Sequence, residues 1–298
     1  MDSAVSVVIL AAGLGTRMKS RMAKVLHRAG GASLVEHVIR AAQSIAQPQQ
    51  IVAVVGHQAA RVRQEVEPLG IRFQEQTEQL GTGHALRTCR GLPGLGAGRI
   101  VVLYGDCPLL SSATLQRLMQ AHSQHGCAAT VITTHLANPT GYGRILRDEQ
   151  GRVGSIVEEK AATPEQKQIT EINSGIYCFE ADLLWQHLDQ VKPNPASGEY
   201  YLTDVVELLR ASGHATVPLV VEDPNEILGI NTRVELAEAD RIFRSRKVRE
   251  LMLAGVTVER PETVTVDPDV AVGQDTVIGP FVQLLGRTVI GPECAVGA

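Results

Sequence analysis

Residues 7–18 read VVILAAGLGTRM, and Lys24 follows after five further residues. The apolar, β-branched start of this stretch predicts a buried strand. The strand runs into a turn of alanine and glycine, whose small side chains let another molecule approach the backbone closely. Backbone N–H groups in such a turn, together with the N-terminus of a following helix, can hold a phosphate. Arg17 and Lys24 add two cations, so this stretch predicts a polyphosphate site at the end of a strand.

Two common phosphate-binding motifs do not match this stretch. A Walker loop requires Gly-Lys-Ser or Gly-Lys-Thr, and neither occurs in the chain. The dinucleotide motif Gly-x-Gly-x-x-Gly fails because Met18 stands in place of the third glycine, which disfavours an NAD-dependent dehydrogenase. The remaining alternative is an ordinary turn between a strand and a helix, in which the glycines serve only the turn.

Composition describes an ordinary globular protein. Of 298 residues, 44% are hydrophobic and 20% are charged, and the net charge is −4. This acidic balance, with only 3% aromatic residues, argues against nucleic acid or an anionic membrane surface as the partner. No apolar run approaches the roughly 18 residues of a membrane span, and Met1 leads into a strand without a signal-peptide pattern. The five cysteines form no C-x-x-C pair, so we expect a cytoplasmic protein with reduced thiols.

Strand-like and helix-like segments alternate as far as about residue 230. Strands are predicted at 51–55, 100–103, 128–134 and 176–179, and amphipathic helices at 34–45 and 114–122. The alternation predicts an α/β sheet with helices on both faces. Ligands of such sheets bind at the carboxyl ends of the strands, where both the first loop and Asp106 would lie.

A polar helix is predicted from Thr232 to Ala254. Thr232 and Glu235 can form a capping box, and Gly255 ends the helix. Its many basic residues indicate a solvated face rather than a binding patch. The segment is interpreted as a connector.

Beyond Gly255 an aliphatic residue recurs every six positions, at Val266, Val272, Ile278, Leu284, Ile290 and Val296. A period of six fits neither a helix nor a flat sheet, but it is typical of a hexapeptide parallel β-helix with one inward side chain per repeat. A chance array of Val/Gly-rich hairpins is the alternative. The repeats stop at Ala298 after about two turns, so we expect either fraying beyond about residue 280 or self-association of the exposed apolar layer.

Several motifs together carry a family resemblance. The first loop with Lys24 resembles the signature of sugar-1-phosphate nucleotidyltransferases. The segment QTEQLGTGHA at 76–85 contains the pattern Gln76-x-x-Gln79-Leu80-Gly81-Thr82. It resembles a motif of the bacterial N-acetylglucosamine-1-phosphate uridyltransferases. Further matches are YGDCPL (104–109), NPTGYGRI (138–145), IVEEK (156–160), EINSGIY (171–177), GEYYLTD (198–204) and GINTR (229–233). Ala23 and Ala32-Ser33 depart from the family pattern and affect the expected rigidity of loops rather than a ligand contact.

The resemblance implies roles for individual residues. Arg17 and Lys24 would be catalytic, and Asp106 and Asn231 would hold Mg²⁺. The nucleotide and sugar would contact Leu10, Ala11, Ala12, Gly13, Lys24, Gln76, Gly81, Thr82, Tyr104, Gly105, Asp106, Gly143, Glu158, Asn173 and Asn231. Three alternatives remain open. Asp106 could be only a turn residue, Asn231 could only precede a helix cap, and His84 could only cap its helix.

The implied family is the bifunctional N-acetylglucosamine-1-phosphate uridyltransferase/glucosamine-1-phosphate acetyltransferase. Its fold would be a Rossmann-like nucleotidyltransferase domain with a mixed sheet (1–231), a linker helix (232–255) and the start of a left-handed parallel β-helix (256–298). Its reaction would join UTP and N-acetylglucosamine-1-phosphate into UDP-N-acetylglucosamine, a precursor of peptidoglycan and lipopolysaccharide, with release of pyrophosphate.

The family also implies an assembly and leaves alternatives. It forms a trimer along the β-helix, so a homotrimer is one expected assembly, and we expect no acetyltransferase activity because those site residues are absent. A sister enzyme for another sugar phosphate or dTTP is one alternative. A catalytically silent regulatory subunit is another, although Arg17, Lys24 and Asp106 are all present.

Overall fold

The computed structural model describes residues 4–195 and 197–298. The strands before residue 230 are β1 (Val5–Ala11), β2 (Arg28–Ala29), β3 (Ala32–Ser33), β4 (Ile51–Val55), β5 (Arg72–Glu75), β6 (Arg99–Tyr104), β7 (Ala129–His135), β8 (Arg144–Arg147), β9 (Val153–Val157), β10 (Glu171–Glu180) and β11 (Thr216–Val220). The α-helices are α1 (Leu34–Ala42), α2 (Ala59–Val66), α3 (Thr82–Arg87), α4 (Ser112–His125), α5 (Ala181–Leu188), α6 (Asp204–Ala211) and α7 (Arg233–Leu253).

The main sheet has the strand order β11-β7-β10-β6-β1-β4-β5, and β8 and β9 extend it from β10. Strands β6, β1, β4 and β5 are parallel, whereas β10 runs antiparallel to both β6 and β7. The carboxyl ends of the parallel strands therefore meet the first half of β10 at one edge. This edge is where ligands of such sheets bind.

The position of β1 in the sheet explains why apolar and polar residues do not alternate in the run at residues 7–11. Its odd-numbered residues, such as Val7 and Ile9, belong to one hydrophobic core, and the even-numbered Val8 and Leu10 belong to another. Successive side chains of a strand point to opposite faces, so helices on both faces bury every position after Val5. The predicted α/β architecture is confirmed.

The structure differs from the sequence prediction directly after β1. We expected a helix whose N-terminus would help to hold phosphate, but residues Thr16–Met18 form a single 3₁₀ turn. Lys19 follows with φ +48°, a left-handed conformation that ends the turn. Any favourable field at this loop therefore comes from its backbone N–H groups and from Arg17 and Lys24, because a one-turn helix has almost no dipole.

Helix α7 begins and ends as predicted. The Thr232 hydroxyl accepts a hydrogen bond from Glu235 N, and the Glu235 carboxylate accepts one from Thr232 N, which completes the capping box. The basic side chains are less uniformly solvated than we expected, because Arg244 pairs with Asp240 and, at 2.7 Å, with the nearly buried Asp267 of the following region. The helix is thus tied to the segment after it.

The hexapeptide segment forms the predicted coil of two-residue strands: β12 (Thr257–Val258), β13 (Thr265–Val266), β14 (Ala271–Val272), β15 (Val277–Ile278), β16 (Gln283–Leu284), β17 (Val289–Ile290) and β18 (Ala295–Val296). Parallel pairing joins β12 to β15 and β15 to β18, β13 to β16, and β14 to β17. Ile278 therefore lies beside Val296, three repeats later. Val266 and Ile278 are fully buried, and α7 covers this core with Val248 and Leu251.

None of the helices in residues 4–195 and 197–298 combines the length and the hydropathy that a membrane span requires. The domain boundaries near residues 231 and 255 stay predictions. They coincide with the start and the end of α7.

Candidate active site

The first loop is built to approach other groups closely. Gly15 has φ +63°, and a Cβ atom there would lie 2.5 Å from Lys24 Cβ, so only glycine lets the Lys24 side chain cross the loop. A Cβ on Gly13 would meet no atom within 4 Å, so the backbone at Gly13 borders open space. The loop is held to its neighbours by Gly105 N, which donates to Leu10 O at 3.0 Å, and by His57 N, which donates to Ala12 O at 3.4 Å.

Four polar side chains converge at the carboxyl edge of β6. Lys24 forms an ion pair with Asp106, and its Nζ also lies 3.0 Å from Asn231 Oδ1. Arg17 donates to the same Asn231 oxygen at 2.9 Å. The Lys24 and Asp106 side chains are both about 15% exposed or less, so the pair sits in a partly desolvated place. We name this group, Arg17, Lys24, Asp106 and Asn231, the cation–oxygen cluster.

Asp106 and Asn231 are positioned by backbone contacts. Ile230 N donates to Asp106 O at 2.8 Å, which brings the segment before α7 against the end of β6. A Cβ on Gly229 would lie 3.3 Å from Asp106 Oδ2, so the lack of a side chain keeps space beside the carboxylate. Glu235 Oε2 accepts from Asn231 N at 2.6 Å, so the capping box of α7 also holds Asn231 in place.

The cluster fits a hard divalent cation. One carboxylate oxygen and one amide oxygen already face a common cation, the Lys24 ammonium, and oxygen ligands of this kind suit Mg²⁺. The described residues contain no group of three or more His, Cys, Asp or Glu side chains arranged to hold a metal. This sparse donor set matches a metal whose remaining ligands are water and substrate phosphates.

A second set of contacts surrounds the loop after β5. The Gln76 side chain is 3% exposed, and its amide nitrogen lies 3.2 Å from Gly81 O and 3.0 Å from His84 Nδ1. The loop at Gly81 is fastened to the segment around Tyr200, because Gly83 N donates to Tyr200 O and Tyr200 N donates to Leu80 O, each at 2.8 Å. Thr82 adds a further bond by accepting from Leu202 N at 3.0 Å.

A third set lies beside Tyr104 at the end of β6. Asn173 N donates to Gly143 O at 2.9 Å, and a Cβ on Gly143 would lie 3.7 Å from Glu158 Oε1. A Cβ on Gly175 would lie 2.5 Å from the Tyr104 ring, so glycine lets β10 pass against this ring. We name Tyr104, Gly143, Glu158 and Asn173 the Tyr104 group, and each of them offers polar atoms or bare backbone of a kind that suits a hydroxyl-rich ligand.

Burial changes the ionisation of this group. Removal from water raises the pKa of Glu158 above its ordinary value, while the hydrogen bond from the Thr203 hydroxyl at 3.2 Å opposes the shift. Burial also raises the pKa of Tyr104, with the nearby Glu158 charge as the next cause. Tyr104 therefore remains a neutral donor at physiological pH.

A family comparison gives the class of this site. The model of the MobA-like NTP transferase domain matches residues 7–163, which is more than half of the chain. This chain belongs to that family. The NTP transferase match begins in β1 and extends past Glu158, so it includes the first loop, the Gln76 loop and Asp106.

Curated relatives extend the similarity beyond the NTP transferase region. The chain is 52% identical to the bifunctional protein GlmU of Solibacter usitatus over 100% of its own length and 64% of that protein. It is 46% identical to GlmU of Koribacter versatilis, with 97% and 62% covered, and 48% identical to GlmU of Trichlorobacter lovleyi, with 97% and 63% covered. The chain thus spans less than two thirds of the length of these relatives.

A solved structure supports the NTP transferase fold. A Bacillus anthracis protein assigned as a glucose-1-phosphate thymidylyltransferase, crystallised with sucrose, superposes with a TM-score of 0.64 at 20% identity. The superposition covers 80% of this chain and 95% of that chain. At this identity the likeness concerns the fold alone.

Two positioning contacts of this NTP transferase were not predicted from sequence. Glu235 was recognised as a capping residue, but its bond to Asn231 was not foreseen. Glu159 accepts from Gly141 N at 3.2 Å and pairs with the buried Arg144 at 2.8 Å, which fastens the loop before β8. The adjacent Glu158-Glu159 pair was the available signal, since one carboxylate can face a ligand while its neighbour faces the opposite side of the strand end.

Proposed function

We propose that this chain transfers UMP from UTP to N-acetylglucosamine-1-phosphate and releases pyrophosphate, forming UDP-N-acetylglucosamine with Mg²⁺ as the cofactor. The convergence of the cation–oxygen cluster with the Tyr104 group at one sheet edge carries this proposal. The similarity to GlmU proteins supports it further.

The reaction needs no nucleophilic side chain. A phosphate oxygen of the sugar phosphate attacks the α-phosphorus of UTP and forms a new P–O bond, while the bond from that phosphorus to the bridging oxygen of pyrophosphate breaks. The electron pair and negative charge leave with pyrophosphate. Catalysis therefore depends on positioning and on charge stabilisation.

The cations of the chain supply that stabilisation. Arg17 and Lys24 lie within 3.0 Å of one Asn231 oxygen, so both can reach a polyphosphate laid over the first loop and neutralise charge on the leaving pyrophosphate. Asp106 and Asn231 would hold Mg²⁺, which neutralises phosphate oxygens when bound. The Lys24 ammonium, which pairs with Asp106 in this structure, would contact a phosphate oxygen of the substrate instead.

The remaining residues orient the two substrates. Gln76 and the Ala12–Gly13 backbone would face the base. Strand β4 separates β5 from β1, and Gly56 at the end of β4 lies close to both loops, because a Cβ there would be 2.8 Å from Gln79 Nε2 and 2.9 Å from Ala12 Cβ. Glu158 and Asn173 would accept and donate hydrogen bonds to sugar hydroxyl and acetamido groups. Gly143 would leave room for the sugar beside them.

The test is release of pyrophosphate from UTP, measured with Mg²⁺ and a panel of sugar phosphates. We expect N-acetylglucosamine-1-phosphate with UTP to give the highest kcat/KM, and glucose-1-phosphate or dTTP to give much lower values. Higher activity with dTTP or with another sugar phosphate would assign a sister enzyme instead. No turnover with any pair would favour the silent regulatory subunit.

A further inference from the structure

The orientation of the Gln76 amide is determined by its partners. Its nitrogen lies 3.2 Å from Gly81 O, and a carbonyl oxygen only accepts hydrogen bonds. The Gln76 atom at that position must therefore be the NH₂ group, because a flipped amide would place two oxygens against each other. The same NH₂ group lies 3.0 Å from His84 Nδ1.

His84 must then act as an acceptor. The Gln76 NH₂ group donates both to Gly81 O and to His84 Nδ1, so the Nδ1 atom carries a lone pair and the ring proton resides on Nε2. His84 lies in the first turn of α3, whose N-cap residue is Gly81. One short segment thus holds both acceptors.

Gly81 keeps its carbonyl in place through a conformation that only glycine adopts easily. Its φ is +99°, and a Cβ there would lie 2.6 Å from Tyr200 O. The two backbone bonds between Tyr200 and residues 80 and 83 hold this segment against a separate part of the chain. The two acceptors are therefore preorganised before any ligand arrives.

The Gln76 carbonyl oxygen is left for a ligand. Within residues 4–195 and 197–298 no donor lies within hydrogen-bond distance of Oε1. This oxygen is not one of the fully buried side-chain atoms without a partner, so it is accessible from outside the protein. A buried glutamine held in this way offers an acceptor and no donor. Uracil presents an N–H donor at N3, whereas cytosine presents an acceptor at the same ring position.

We propose that His84 is a positioning residue that holds the Gln76 carbonyl oxygen toward the base and so makes the site select uracil over cytosine. This inference rests on the proposed function, in which Gln76 reads the base of the nucleotide. Turning the amide to suit cytosine would break both bonds of the NH₂ group and place Oε1 against Gly81 O and the His84 lone pair. The site cannot adapt to CTP at low energy.

The experiment compares two substitutions at one position. His84→Leu removes the acceptor, whereas His84→Asn keeps an acceptor oxygen at about the position of Nδ1. We expect His84→Leu to lower the ratio of kcat/KM for UTP to that for CTP by about tenfold, mainly through KM, because one hydrogen bond no longer holds the amide. His84→Asn should restore most of the ratio. His125→Leu, at an exposed position near the end of α4, is the control and should leave the ratio unchanged.

The outcomes separate this inference from the proposed function. A wild-type protein that prefers UTP, with an unchanged ratio in His84→Leu, would overturn the inference and leave the proposed function intact. A fall in kcat for both nucleotides at a constant ratio would assign His84 to fold support and would also overturn it. A wild-type protein that accepts CTP as well as UTP would contradict both.

Discussion

The candidate active site and the β-helical coil differ in how their residues are brought together. In the coil, an inward side chain recurs every six residues. Each strand pairs with the strand three repeats later, as β15 does with β18 through Ile278 and Val296. In the cation–oxygen cluster, Lys24 meets Asp106 across 82 positions and Asn231 across 207. A local repeat builds the first region, whereas the second exists only when distant segments have packed together.

The difference predicts how each region responds to substitution. A change in the coil should lower local stability, because each repeat contacts its neighbours along the stack. A change in the cluster should remove chemistry with little loss of stability, because its members contribute charge rather than buried apolar area. Three substitutions test this contrast.

The largest effect is expected for Asp106→Asn. The amide keeps the shape of the side chain but removes the negative charge that attracts Lys24 and would hold the metal, so kcat should fall by about 100-fold or more. The thermal unfolding temperature should remain close to that of the wild type. Steady-state kinetics and calorimetry measure the two quantities.

Asp269→Asn is the matched control, because Asp269 is an exposed carboxylate whose partner Arg40 lies 3.5 Å away. It should leave kcat unchanged. Near-normal turnover in Asp106→Asn would exclude Asp106 from the proposed metal site and weaken the contrast between the two regions.

An intermediate effect is expected for Gly273→Ala in the coil. A Cβ there would lie 2.3 Å from Pro292 N, so neighbouring turns must separate, at a loss of about 1–3 kcal/mol in the free energy of local opening. Hydrogen exchange of amides in residues 256–298 measures this loss. Turnover at the distant cluster should not change.

Gly291→Ala is the control within the same coil, since a Cβ at Gly291 would meet no atom within 4 Å. Its amides should exchange at about the wild-type rate. A loss of turnover in Gly273→Ala would mean that the two regions are coupled, contrary to the comparison.

The smallest effect concerns pH and Glu158. Burial raises the pKa of this carboxyl, so it takes up a proton at a higher pH than an ordinary glutamate as the solution is acidified. The protonated form loses acceptor capacity for sugar hydroxyls. The KM for N-acetylglucosamine-1-phosphate should therefore rise a few-fold as pH falls from about 7 to about 5.

Glu158→Gln separates this titration from that of the substrate phosphate. The variant should have a higher KM at neutral pH and a shallower change with pH, because the titration of residue 158 no longer contributes while that of the substrate phosphate does. Equal pH slopes in the two proteins would show that the Glu158 carboxylate does not bind the sugar.

Much of the fold could be predicted from local patterns. Residues 51–55 form β4 with the predicted bounds, the Thr232–Glu235 capping box begins α7, and each residue of the six-residue series ends a strand of the coil. These features depend on neighbours in the chain, through period-2 or period-6 burial and through caps. The predicted helix after the first loop was wrong because its glycines and the left-handed Lys19 leave space for only one 3₁₀ turn.

The candidate residues of the site could also be named from the sequence, whereas the hydrogen bonds between them could not be predicted. The family resemblance implied Gln76, Asp106 and Asn231 as candidates, and their roles as ligands stay predictions. The bond from Glu235 to Asn231 and the two acceptors that hold Gln76 emerged only from the structure. Their directions depend on where separate loops meet.

By itself, the sequence determined an α/β sheet buried on both faces, a capped helix and a hexapeptide coil, because each follows from short-range periodicity. The tertiary structure decided which oxygens face a common cation, and which atom of Gln76 remains free to meet a base. Hydrogen bonds are directional and short, so their pattern is set by the packing of segments up to 214 residues apart. Local periodicity carries no information about that packing.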